Sequence, residues 1–346
     1  PVSVSVSPSI AIISRPRVRS TPSAPVDNER QIRVMLVNDT KGPADQVVTL
    51  ETPPGWKVTP ERQAVAFTRE DESQTVRFRV VPPAGARLGD VLIKAVANTP
   101  TASVSRGFQK IEYPHIRRQH VYREAETRVK IMDVKTTPHL TVGYVMGVGD
   151  EVPPAIGQLG VKVEMLDSDD LAWGDLSRFS TIVTGVRAYE RREDLRANNS
   201  RLLEYVRNGG TVIVQYNKFE FNNAQYGPYP AKVSAGRATD ERASVTPILT
   251  GDAVFNVPNP LDGTTWTNWV QERGLYFLGE KDARYRDLLS VDERIPNNAG
   301  AKLGALVDAS YGKGRWVYVG LNLWRQLPAG VDGAYQLLAN LLSLGH

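Results

Sequence analysis

The residues of this chain with the means to do chemistry are carboxylates, arginines and aromatics. Asp150, Glu151, Asp167, Asp169, Glu190 and Glu220 each follow an apolar, β-branched run, where a strand end presents groups to a ligand. A paired-carboxylate hydrolase needs two of them about 5–10 Å apart across a sugar. Sequence spacing does not set that distance, and solvated or structural roles are the simpler expectation. His115 and His120 share a face of neither a helix nor a strand, and no further ligand stands near them, so no metal site is expected. His139 precedes a strand, the wrong end for a general base, and His346 is terminal. Cysteine is absent, which removes thiolate nucleophiles, disulfides and cysteine metal sites together. There is no Gly-x-Ser-x-Gly elbow and no phosphate-binding loop; Gly312-Lys313-Gly314 reads as a hairpin turn.

Binding is better provided for than catalysis. Trp173, Trp266, Trp269, Trp324, Tyr226 and Tyr229, with Arg187, Arg325 and Asn217, offer stacking faces and hydrogen bonds to a sugar. The competing role for these aromatics is to pack a long insert onto a sheet, and that role is favoured. The ligand-binding candidates are Arg187, Tyr216, Asn217, Glu220, Asn322, Trp324 and Arg325, with no catalytic or metal-ligating residue among them.

The elements that must position these groups centre on Gly209–Asn217, GGTVIVQYN. Leu202, Leu203, Tyr205 and Val206 give a short amphipathic helix over Arg196–Asn208. Paired glycines end it, and Thr211–Gln215 follows as a strand covered on both faces. This is the repeating joint of an open α/β sheet. Leu140–Val148, Val161–Leu166 and Thr181–Gly185 read as earlier strands of the same sheet. Ala305–Ser310 and Arg315–Gly320 read as a hairpin, and Gly333–Leu344 as a closing helix with Leu337, Leu338, Leu341 and Leu342 on its apolar face. Residues 219–300 are too long for a bare loop, so antiparallel strands laid over one end of the sheet are expected there.

Residues 1–112 read instead as a β-sandwich. Val2, Val4 and Val6 alternate with serines, and Ile32, Val34 and Leu36 alternate likewise. In Gln74–Val81 the apolar Val76, Phe78 and Val80 are interleaved with Arg77 and Arg79. The Pro- and Ser-rich Arg15–Asp27 is an irregular connection. Residues 113–137 read as a basic linker, with Thr127–Val134 adding a strand to one domain, and the α/β part spans 138–346.

Composition sets the outer limits. The chain has 346 residues, 41% hydrophobic and 23% charged, which suits two packed domains. No apolar run approaches the roughly 20 residues of a membrane-spanning helix. The net charge of +4 divides unevenly: 21 basic against 14 acidic residues in 1–137, and 21 against 24 in the remainder. The basic excess is scattered along strands rather than clustered with aromatics, so no nucleic-acid surface is expected. The first residue is Pro1, which fits a processed product or a fragment of a longer protein.

Several stretches resemble known families. VNDTKGPADQVVTLETPPGWKVTP and FTREDESQTVRFRVVPPAGARLGDVLIKAVA resemble the NEW3-type immunoglobulin-like module, which accompanies catalytic domains in bacterial carbohydrate-active proteins. The second part resembles the class I glutamine amidotransferase-like fold, a flavodoxin-related sheet. By strand order that family's cysteine falls at about Tyr216 and its histidine and glutamate near Asn322 and Trp324, so the resemblance implies no amidotransferase chemistry. VRNGGTVIVQYN, QYGPYPAKV, RATDERASVTP, WVQERGLYFL and GKGRWVYVGLNLWRQLPAGVDGAYQLLANLL are similar to the C-terminal region of large bacterial PIG-L (LmbE-like) deacetylases. That family binds zinc through an Ala-His-Pro-Asp-Asp motif, which is absent here. The resemblance therefore implies a non-catalytic accessory region without a cofactor of its own, zinc belonging to a separate catalytic domain. It implies partnership with that domain or with identical subunits, and an extracellular or periplasmic bacterial location. A carbohydrate-binding module, and a structural protein that self-assembles through the edge strand Val2–Val6, are the alternatives.

Overall fold

The computed structural model describes residues 2–15, 28–99 and 101–344; most of the Pro- and Ser-rich connection and His346 lie outside them. The described chain forms two compact units, one up to Asp133 and one from Val134 onward.

The first unit is a sandwich of two sheets. Its strands are β1 (Val2–Ser7), β2 (Ile10–Ser14), β3 (Arg30–Asn38), β4 (Ala44–Glu51), β5 (Lys57–Thr59), β6 (Arg62–Phe67), β7 (Ser73–Val81), β8 (Gly89–Asn98) and β9 (Ser103–Val104), followed by β10 (Arg106–Ile111), β11 (Gln119–Glu124) and β12 (Glu126–Met132). One sheet has the order β1-β3-β7-β5 and the other β2-β12-β8-β4-β6, with β9 on β8. Alternation decides what faces inward: Ile32, Val34, Leu36, Val76, Phe78 and Val80 are buried, and the arginines between them are not.

The stretch expected as a linker at 113–137 gives β11 and β12 to the first unit, β12 where a strand was expected at Thr127–Val134. β12 lies between β2 and β8 in the second sheet, with Val129 and Ile131 in the core, because its period-2 pattern has a face to bury. β10 and β11 pair as a hairpin, and this hairpin bears on β1: Phe108 N–H donates to Ser3 Oγ at 3.1 Å, and a Cβ on Gly107 would lie 2.3 Å from Val4 O. The edge at Val2–Val6 is therefore not bare.

The second unit is built on a seven-stranded sheet. Strand β13 (Thr141–Val145) is followed by α1 (Val152–Gln158), β14 (Lys162–Met165), α2 (Ser168–Trp173) and β15 (Thr181–Thr184). Then come α3 (Ala188–Arg191), α4 (Glu193–Ala197), α5 (Asn199–Arg207) and β16 (Thr211–Gln215). The helix expected at 196–208 is thus two helices, broken at Asn198. Gly209, at φ 119°, makes the turn into β16, and Gly210 leaves room for the Tyr205 ring, which a Cβ there would meet at 2.2 Å.

The expected insert follows and holds small antiparallel sheets. β17 (Ala231–Val233) pairs with β21 (Leu278–Lys281), and β18 (Arg237–Ala238) with β20 (Gly274–Leu275). β19 (Ser244–Pro247), β23 (Leu289–Glu293) and β24 (Gly300–Lys302) form a third sheet, and α6 (Ala253–Asn256) and β22 (Arg286–Asp287) complete the segment. β25 (Leu306–Tyr311) and β26 (Gly314–Val319) form the expected hairpin, and α7 (Leu323–Gln326) and α8 (Asp332–Leu342) close the chain.

The main sheet runs β14-β13-β15-β16-β26-β25-β22, its first five strands parallel. In order of appearance those five stand 2-1-3-4-5. β15 and β16 are buried at every residue, as central strands covered on both faces must be. α8 was expected to bury one face and buries nearly all of its surface. The insert covers the rest: Asn340 Nδ2 donates to Val254 O at 2.9 Å and to Asn259 O at 2.7 Å.

Candidate functional site

In an open parallel sheet the crevice at which strand order reverses, here between β13 and β15, is the usual ligand site. In this chain it is filled. A Cβ on Gly147 would lie 2.0 Å from Val186 O, so the two loops pack backbone to backbone. Asp150 closes the remainder: Oδ1 accepts from Tyr144 Oη at 2.7 Å and from Val152 N at 3.1 Å, and Oδ2 accepts from Val186 N at 3.2 Å. Gln215 Nε2 donates to the same Tyr144 hydroxyl at 2.7 Å. Burial first, then the charge of Asp150, drives the Tyr144 pKa well up, so the phenol stays protonated. The other strand-end carboxylates are also engaged or exposed. Asp167 caps α2 through a capping box, Glu190 holds Arg187, and Glu220 is exposed on the turn after β16.

The sequence candidates converge instead at the ends of β15, β16 and β26. Tyr216, 7% exposed, stacks on Tyr276 with ring centroids 5.8 Å apart and planes 7° from parallel. Trp324 flanks it at 6.1 Å, and Phe219, exposed, meets Tyr276 edge-on at 5.7 Å. Arg325 lies over the Trp324 ring at 4.1 Å. Its Nε is 3.3 Å from Glu272 Oε1 but forms no properly directed hydrogen bond, so this contact is an ion pair only. Arg187 adopts the left-handed conformation at φ 56° and donates from Nε to Glu190 Oε2 at 2.6 Å. That hydrogen bond is the main reason the Glu190 carboxyl is held below its ordinary range. Tyr216 is pushed above its ordinary pKa by burial, against the pull of Arg187 and Arg325, and is neutral at physiological pH.

Two candidates do not face the opening. Asn217 and Asn322 are both 0% exposed. Asn217 is a lock between loops: Oδ1 accepts from Tyr189 N at 3.1 Å, and Nδ2 donates to Gln215 O at 2.9 Å. Its own N–H donates to Tyr318 Oη at 3.2 Å, and Tyr318 Oη donates to Tyr276 O at 2.7 Å. Asn217→Ala strands two buried backbone groups and is expected to cost about 2–4 kcal/mol of stability, read from urea denaturation; a loss near zero refutes the lock. Asn322 Oδ1 accepts from Trp324 Nε1 at 3.3 Å, while its Nδ2 has no partner. The other proposed stacking residues divide. Tyr226 packs against Tyr189 and Phe221 in the core, Trp266 and Trp269 are buried, and Trp173 stands alone at 85% exposure.

Sequence reasoning did not single out Tyr276. It is a bulky residue at φ 53°, a conformation that costs about 1–3 kcal/mol. Arg187, Gln271 and Tyr276, three of the seven non-glycine residues at positive φ among the described residues, belong to this one region. A left-handed tyrosine inside GLYFLG leaves no mark in the sequence, since no glycine or asparagine announces it. Among the described residues no three His, Asp or Glu side chains gather as metal ligands.

The first unit thus belongs to the class of two-sheet β-sandwich modules, and comparison makes part of it more specific. Residues 25–99 match the family model of the NPCBM-associated, NEW3 domain of alpha-galactosidase. No curated protein matches the chain. Among solved structures it is similar to the cold-adapted beta-galactosidase of Rahnella sp. R3, at 17% identity and a TM-score of 0.36 over 57% of this chain and 31% of that one. It is similar also to the beta-galactosidase of Bacillus circulans sp. alkalophilus, at 11% identity and a TM-score of 0.35 over 57% and 30%. A third is the FixG-related protein of Vibrio parahaemolyticus, at 13% identity and a TM-score of 0.23 over 38% and 96%. The chain spans under a third of either galactosidase.

Proposed function

We propose that this chain is a non-catalytic accessory region of a larger, exported bacterial enzyme of the PIG-L (LmbE-like) deacetylase type. It pairs a NEW3-type sandwich with a degenerate class I amidotransferase-like domain. The 2-1-3-4-5 parallel order is that of flavodoxin-like sheets and supports the second half of this reading. The observation that carries it is the state of the three strand-end positions where that family keeps a thiol, an imidazole and an acid. They hold Tyr216, a neutral and largely buried phenol; Asn322, sealed from solvent; and Trp324, an indole. None activates a nucleophile or moves a proton near pH 7, and the crevice between β13 and β15 is filled. The zinc chemistry belongs to a separate catalytic domain, with which this region docks.

The test is to capture the native polypeptide with an antibody raised against this chain. A species well above 38.2 kDa that deacetylates N-acetylglucosamine oligomers and loses that activity to a zinc chelator is expected, while the isolated chain is inactive. Turnover by the isolated chain, or a native species of that mass alone, overturns the proposal.

One observation favours a second role at the same tips. The strained Tyr276, stacked on Tyr216 beside Trp324 and exposed Phe219, makes an aromatic platform with Arg187, Arg325 and Glu220 at its rim, suited to a sugar ring. Calorimetry with chitin oligomers should then show affinity falling at least about tenfold in Trp324→Ala. Equal binding by the mutant removes this site.

A further inference from the structure

A second group of residues, within the insert and beside the strand tips, where Asn322 N–H donates to Arg273 O at 2.9 Å, is left unexplained by either role. It lines a cavity of about 660 Å³ and includes Ser244, Trp266, Thr267, Asn268, Trp269 and Arg273, a volume in the range of small-molecule sites, about 300–1,000 Å³. Arg273 is the anomaly. It is only 3% exposed, and the acidic groups acting on it, Asp240 and Glu241, do so through space without a hydrogen bond or ion pair. Its Nε donates to Ala243 O at 3.0 Å and its Nη1 to Trp266 O at 2.7 Å, which pins the guanidinium to two walls of the cavity. Those two bonds use two of its five N–H donors. Burial draws its pKa down to about 10, so the group is still charged at neutral pH. A buried guanidinium without a contacting counter-ion is costly to keep, and a planar carboxylate from outside matches its fork.

The surroundings narrow the ligand further. Trp269, itself buried, lies 5.3 Å from the guanidinium carbon, and buried Trp266 stands 5.6 Å from Trp269, so aromatic rings back the guanidinium. Ser244, Thr267 and Asn268 are exposed at the cavity and bring hydroxyl and amide groups. Asn268 sits there at φ 58°, another left-handed residue. Asp240 and Glu241, the latter itself lining the cavity beside Arg242, add negative charge, which a single carboxylate tolerates better than a doubly charged phosphate does.

We propose that this cavity binds a monoanionic, carboxylate-bearing sugar, a uronate in chemical class. The carboxylate pairs with Arg273, and the hydroxyls meet Ser244, Thr267 and Asn268. This site shares no lining residue with the strand-tip platform and does not depend on the identity of the parent enzyme.

Calorimetry on the whole chain with glucuronate, glucose and inorganic phosphate decides it. Glucuronate is expected to bind saturably, with glucose and phosphate at least about tenfold weaker, and Arg273→Gln to lose at least about tenfold in affinity. Because Arg273 also ties two loops together, Asn268→Gly serves as the second variant. Glycine accepts the left-handed backbone, so the melting temperature should hold while affinity falls about three- to tenfold. Trp324→Ala should bind glucuronate unchanged, which separates this site from the platform. Glucose or phosphate binding as tightly as glucuronate, no glucuronate binding at about 10 mM, or wild-type affinity in Asn268→Gly overturns the proposal.

Discussion

Replacing Asp308 by alanine should destabilise the second unit by about 3–5 kcal/mol, the usual cost of removing one partner from a buried charge network. Asp308 is 0% exposed and lies on β25. Its carboxylate accepts from Arg286 Nε at 3.0 Å and Nη2 at 2.6 Å, and from Arg315 Nε at 2.5 Å. Asp252 completes a neutral set of two acids and two arginines, accepting from Arg315 Nη2 at 2.7 Å and Arg286 Nη2 at 3.2 Å. Burial alone would raise the Asp252 pKa, but the hydrogen bond from Arg315 and the nearby arginine charges bring it below the ordinary value. Asp252 and Arg286 come from the insert, and Asp308 and Arg315 from the β25–β26 hairpin, so the cluster fastens one to the other. Removing Asp308 leaves Arg315, 17% exposed at its side chain, facing Arg286 with half the neutralising charge. Arg286 is 45% exposed and partly screened by water, which places the loss toward the lower end of the range. Urea denaturation measures it, and hydrogen exchange should show the insert losing protection before the parallel strands. A loss below about 1 kcal/mol shows that the cluster does not hold the insert.

Trp316→Ala should be as damaging, about 3–5 kcal/mol, through the cavity it leaves. Trp316 lies on β26 at 1% exposure, edge-on to Tyr285 at 5.7 Å and stacked on Tyr318 at 6.4 Å. Those neighbours are themselves tied: Tyr285 Oη donates to Tyr229 O at 2.8 Å and Tyr318 Oη to Tyr276 O at 2.7 Å. They are not free to collapse into the space. Trp173→Ala is the control. Its ring is 85% exposed on α2, and its removal should change stability by no more than about 0.5 kcal/mol. Similar losses in the two variants would mean that the aromatic core of this unit is not organised as described.

Much of the scaffold was legible because it rests on local pattern. The glycine pair and the β-branched run at 209–215 declare a turn and a central strand. Tyr311-Gly312-Lys313-Gly314 declares a hairpin, and the interleaved valines and arginines of β7 declare a half-buried strand. β12 was legible as a strand but not as a central member of the sandwich, since period 2 says that one face is buried and not against which neighbour. The candidate residues after β15, β16 and β26 were found because strand ends of one sheet lie together. Their burial was not: nothing in the letters separates Asn217, which locks loops, from an exposed asparagine.

Residue type alone was enough to show that the strand tips carry no thiol, since a side chain absent from the sequence cannot be supplied by folding. The closing of the β13–β15 crevice by Gly147 and Asp150, the forcing of Tyr276 into a left-handed stack, and the sealing of Arg273 beside two tryptophans were decided by the tertiary structure. Each joins segments distant in sequence, and solvent exclusion and charge isolation are properties of an enclosed space rather than of any short stretch of chain.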